Sequence, residues 1–118
     1  AGGAALALTA LGAWTTGGPA LCAQLAGLER TASMADVVVT GADQLDFATR
    51  GGHVVPEMAA IGERTMRPTI VVARHVEVSG RELRTFGVEV AYPLGGDADL
   101  DAGELTRRAS GVALSWTW

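Results

Sequence analysis

The run Val37–Val38–Val39 limits most sharply what this chain can fold into. It is short, wholly apolar and β-branched, and it stops at a polar, glycine-marked stretch, Thr40–Gly41–Ala42–Asp43–Gln44–Leu45–Asp46. That stretch continues through Thr49, Gly52 and His53 before Pro56 opens a helical pattern. A strand with one wet face alternates apolar and polar residues, whereas a strand covered on both faces reads as a continuous apolar run. The pattern therefore predicts a buried parallel strand over 36–40, a loop over 40–53 and a helix over 56–65. In open α/β sheets ligands bind just outside the carboxyl ends of such strands, so residues 40–53 are the first place to look for chemistry.

The rest of the chain alternates in the same way. Gly2–Gly3 precedes an Ala/Leu helix, residues 4–11, with no polar face, and such a helix must be covered on several sides. Pro19 suits the first turn of a second helix reaching to Ser33. Thr69–Ala73 reads as a second buried strand, and Ser79 or Gly80 caps a short helix over 81–84. Gly87 supplies its left-handed stop, residues 88–92 a third strand, residues 95–103 an acidic loop and residues 103–116 a last helix. The order α-α-β-α-β-α-β-α predicts an α/β, three-layer fold around a mostly parallel sheet of about three strands. We read residues 1–118 as a single segment of a larger protein or assembly, because three strands are few for so much apolar helix.

Composition narrows the function. The chain of 118 residues carries a net charge of −4, which disfavours a nucleic-acid partner, since phosphate neutralisation needs a basic face. All basic residues are arginine, so no phosphate-contacting lysine comes from this chain. Cys22 is alone; it forms no intrachain disulfide and reads as a small buried hydrophobe. The apolar N-terminus lacks the positive flank of a signal peptide, and no run is long enough to span a bilayer. The expected setting is cytoplasmic, with no membrane contact. Asp97, Asp99, Asp101 and Glu104 suggest a Ca²⁺ loop, but Ala102 and Arg108 stand where its glycine and final glutamate belong. A solvated acidic loop is expected instead.

Residues 1–118 resemble the C-terminal part of the type I glycerate kinases. That family shows an Ala-Gly-Gly helix start, then Ala-Asp, a hydrophobic run, Thr-Gly-Glu-Gly, an Asp three positions on, Gln-Thr and Gly-Lys. Ala1–Gly2–Gly3, Ala35–Asp36, Val37–Val38–Val39, Thr40–Gly41, Asp46, Thr49 and Gly52 fall at matching positions. Arg81–Glu82–Leu83–Arg84, Gly87–Val88 and Ala91–Tyr92 match the closing pattern. The departures are Ala42 and Asp43 for the Glu and second Gly, Ala48 for the Gln, and His53 for the Lys. The motif is degenerate at its cation, and an imidazole is a weaker one than an ammonium group.

The resemblance implies a Rossmann-like part of a glycerate kinase-like fold, and phosphoryl transfer from ATP to glycerate with Mg²⁺. On it, Asp46 and Asp43 are the candidate catalytic carboxylates, and Asp46 the candidate Mg²⁺ ligand. Gly2, Gly3, Thr40, Gly41, Thr49, Gly52, His53 and Arg74 are the candidate nucleotide- or substrate-binding positions, with Arg50 and His75 as further groups for a substrate carboxylate. The alternative is a catalytically dead homologue acting as a binding or assembly module. Expected partners are a missing N-terminal part or partner chain, and a second copy meeting the apolar face of helix 4–14.

Overall fold

A computed structural model describes residues 2–48, 50–95 and 100–117. Ala1, Thr49, Asp97 and Asp99, all named above, lie outside the described residues. The order is α1 (Gly2–Ala10), α2 (Gly18–Ala26), α3 (Leu28–Ser33), β1 (Val38–Leu45), α4 (Val54–Thr65), β2 (Thr69–Val76), α5 (Gly80–Thr85), β3 (Val90–Pro93) and α6 (Ala102–Ser115). The three strands form a parallel sheet in the order β1-β2-β3, as the alternation predicts.

Helices pack closely on one face of the sheet and leave the other half open, so the apolar run that begins β1 is not covered on both sides as its pattern predicts: Val39 is 56% exposed. On the packed face α4 packs against β1 and β2, α5 against β3, and α2 and α3 against α4. The core on that face joins Leu45, Val55, Ala59, Val71, Ala73, Leu83 and Val88. A second cluster, Ala23, Ala32, Val38 and Ile61, fastens the α2–α3 layer beneath α4. On the other face α6 brings Leu105 and Ala109 towards Val39 and Val72 across an open cavity. Trp116 anchors the end of α6, its indole N–H donating to the Tyr92 hydroxyl at 2.7 Å.

Local signals explain most boundaries. Pro stands in the first turn of α2 after the extended N-cap Gly17. Ser79 and Glu82 close a reciprocal capping box on α5, and Gly87 turns the chain at φ +78°. Asp101 caps α6 by accepting from the Glu104 N–H at 2.7 Å, so at least this carboxylate of the acidic stretch is structural.

Four further expectations are corrected. The expected helix from Pro19 to Ser33 is two helices, because Gly27 takes a left-handed conformation (φ +65°) that redirects the axis between α2 and α3. The loop expected from Thr40 begins only after Leu45, since Gly41, Ala42, Gln44 and Leu45 pair with Val72, Ala73, His75 and Val76. Cys22 is exposed, because α2 buries only Ala23. Helix α1 buries no residue and packs closely on no other element among the described residues, leaving Leu6, Leu8, Leu11 and Trp14 open.

Thr69 opens β2 at 1% exposure, and its hydroxyl has no hydrogen-bond partner. Leaving a buried donor unsatisfied costs about 1–3 kcal/mol. Thr69→Val keeps the branched shape and removes the orphan, so it should stabilise the fold by about 1 kcal/mol. An unchanged or lowered thermal midpoint would show that the hydroxyl is satisfied in solution.

Candidate functional site at the carboxyl ends of β1 and β2

The register decides which polar groups meet. Leu45 pairs with Val76 at the ends of the two strands, so Asp46 and Glu77 both stand one residue beyond. The Glu77 N–H donates to the Leu45 carbonyl at 2.9 Å, which carries the pairing past the strand proper. Gln44 bridges the two carboxylates, its amide nitrogen donating to Asp46 Oδ2 at 3.1 Å and to Glu77 Oε2 at 3.4 Å. Sequence reading did not single out Gln44 or Glu77. The apolar runs alone would not have found the pair: the observed register sets Val38 on Thr69 and Val39 on Ile70, and laying Val37 on Thr69 instead would have put Val78, not Glu77, beside Asp46.

Asp43 is separated from this pair. It lies within β1 and not in the loop, with a side chain 73% exposed, and Arg74 Nε approaches its Oδ1 at 3.0 Å. Thr40, Gly41, Asp43 and Arg74 all border the cavity of about 510 Å³ under α6, whose other walls are chiefly apolar. Thr40 therefore sits well inside the strand, away from its tip. Gly41 has room for a methyl group, the nearest atom to an added Cβ being the Val72 carbonyl oxygen at 3.4 Å.

Beyond Asp46 the chain turns tightly. The Arg50 N–H donates to the Asp46 carbonyl at 2.9 Å, and Arg50, Gly51 and Gly52 all have positive φ (51°, 79° and 83°). Gly51 is obligatory on a second count: an added Cβ would stand 2.6 Å from Val55 Cγ2 and 3.2 Å from Leu45 Cδ1. Gly52 faces open space. His53 is exposed and precedes the first turn of α4 without capping it. The sheet thus brings together two groups of expected residues: Asp46, Gly52 and His53 around the loop, and Thr40, Gly41, Asp43 and Arg74 around the cavity. Gly2 and Gly3 join neither; they open the detached α1.

The donor set around Asp46 and Glu77 is hard oxygen. Among the described residues no group of three or more His, Cys, Asp and Glu side chains comes together to cage a cation. Mg²⁺ fits such a pair, because it commonly takes one or two carboxylates and fills its shell with water and substrate phosphates.

The sequence model of the glycerate kinase family matches residues 1–110. The chain belongs to the glycerate kinase family. No curated protein and no solved structure matches it. Among the described residues no helix of this family member is long and apolar enough to cross a membrane. Its three-stranded parallel sheet carries Thr40 and Gly41 on β1 and places Asp46 immediately beyond that strand.

Proposed function

We propose that this glycerate kinase family member phosphorylates a hydroxyl of glycerate from Mg·ATP, at a cleft opening on the carboxyl ends of β1 and β2. The single observation that carries the reading is the carboxylate pair Asp46 and Glu77, tied by Gln44 just past two parallel strands. Phosphoryl transfer relies on positioning and charge neutralisation more than on covalent chemistry by the protein. Mg²⁺, held by Asp46, supplies that neutralisation when bound.

The protein groups divide the remaining work. Arg74 receives the glycerate carboxylate, which displaces Asp43 from the guanidinium. The released Asp43 carboxylate accepts the proton of the attacking hydroxyl as the oxygen–γ-phosphorus bond forms and the bond to the β-phosphate oxygen breaks. Thr40 and Thr49 donate to phosphate or carboxylate oxygens, Gly41 lets the ligand approach the β1 backbone on the cavity side, and Gly52 and His53 shape the loop side. Gly2 and Gly3 join the cleft only if another segment or partner chain, or a second copy, covers α1. The open Leu6, Leu8, Leu11 and Trp14 support such a cover. The setting is cytoplasmic, with no nucleic-acid or membrane partner.

Calorimetric titration of Mg·ATP and then D-glycerate tests this. Asp46→Ala should weaken Mg·ATP binding at least about tenfold, the worth of one lost charged contact. Folded wild-type protein silent to both ligands would sink the kinase reading. That result would leave a catalytically dead binding or assembly module, a reading that the detached apolar α1 also favours.

A further inference from the structure

We propose that Arg50 is an oxyanion-binding group, held by two phenylalanine rings to receive a phosphate or carboxylate beside the loop that carries Asp46. The guanidinium carbon of Arg50 lies 4.9 Å from the Phe86 ring centroid and 5.9 Å from that of Phe47. The two rings stand 6.0 Å apart and tilted by 52°. An arginine against aromatic faces keeps its N–H edge directed outward, in the plane that a phosphate or carboxylate meets with two parallel hydrogen bonds. That edge is unspent: among the described residues Arg50 makes no ion pair and no side-chain hydrogen bond.

The backbone fixes the group as well. Its N–H is held by the Asp46 carbonyl at 2.9 Å, and its left-handed φ of 51° is a conformation that a non-glycine residue rarely keeps without compensation. Arg50, Thr85 and Phe86 border a hollow of about 250 Å³. Glu63 is the one carboxylate on its wall, and it does not pair with Arg50. Its Oε1 turns instead to the backbone of Gly87, lying 2.6 Å from where a Cβ there would stand. A fixed, unpaired cation on a chain without lysine and with net charge −4 is a specific feature, because nearby carboxylates ordinarily claim such a group.

The assignment deepens the phosphotransfer reading and rests on it only for the identity of the natural anion. The test titrates inorganic phosphate, and separately Mg·ATP, into the wild-type chain while following the Arg50 Nε–H resonance by NMR, with calorimetry on Arg50→Ala, Arg50→Lys and Phe86→Leu. Phosphate should shift the resonance saturably. Arg50→Ala should weaken binding about ten- to a hundredfold, and Arg50→Lys should restore only part, because an ammonium has no planar fork. Phe86→Leu should weaken binding several-fold while circular dichroism reports an intact fold.

A resonance that phosphate does not move, or equal affinity in wild type and Arg50→Ala, overturns the assignment. Mg·ATP binding that survives Arg50→Ala and fails in Asp46→Ala would overturn it and leave the kinase reading standing. Phosphate captured through Arg50 by a protein that ignores Mg·ATP and glycerate would sink the kinase reading and keep the oxyanion site.

Discussion

Leu45→Ala should lower the stability of this chain by about 3 kcal/mol, the cost of emptying a fully buried leucine site that cannot collapse. Leu45 is 0% exposed at the last position of β1, in one cluster with Val55, Ala59 and Val71. The returning loop closes over it, since a Cβ on Gly51 would meet Leu45 Cδ1 at 3.2 Å. The void would therefore open directly beneath the turn that follows Asp46. For a domain of this size the loss corresponds to a fall in thermal midpoint of roughly 10 °C. Because Asp46 is the next residue, Mg·ATP binding on the proposed kinase reading should weaken even well below that midpoint. A fall of less than about 3 °C by circular dichroism would mean that α4 settles into the space.

Gly62→Ala should destabilise by about 2 kcal/mol although it improves local helix propensity. Gly62 lies in the last turns of α4, where the chain reverses through the left-handed Met66 (φ +56°) into β2. An added Cβ would stand 2.1 Å from Thr69 Oγ1 and 2.9 Å from the Arg67 carbonyl oxygen. The helix end and the strand start are thus pressed together at a site with no room for a methyl. Thr69→Ala in the same chain removes the closer clash and leaves the carbonyl, so the double variant should recover about half of the loss. Strict additivity of the two single effects would show that the residues do not meet as described.

Much of the fold was legible in the residues because its signals are local. Val37–Val38–Val39 and Thr69–Ala73 read as strands, and their pairing in a parallel sheet follows from the helices between them, although only β2 is buried as its run predicts and Val39 on β1 stays 56% exposed. Pro19, the Ser79–Glu82 box and Gly87 mark helix ends through chemistry confined to one turn. Gly27 was legible only as a glycine; that it breaks the helix there depends on how α2 and α3 both meet α4.

The sequence by itself determined the family and the parallel α/β plan, since these lie in the order of apolar runs and in residues spaced along the chain. Only the tertiary structure decided how far β1 extends. Asp43 and Gln44 are poor strand residues alone, but on β1 they find Arg74, Asp46 and Glu77. Strand register likewise set Asp46 beside Glu77, and the fold of α5 set Phe86 against Arg50. Apart from Gln44 with Asp46, two residues on, each pairing joins groups far apart in the chain, and no local pattern encodes the distance between them: it is fixed by strand pairing and by packing of the helices, which bury the core and so hold the polar edges in place.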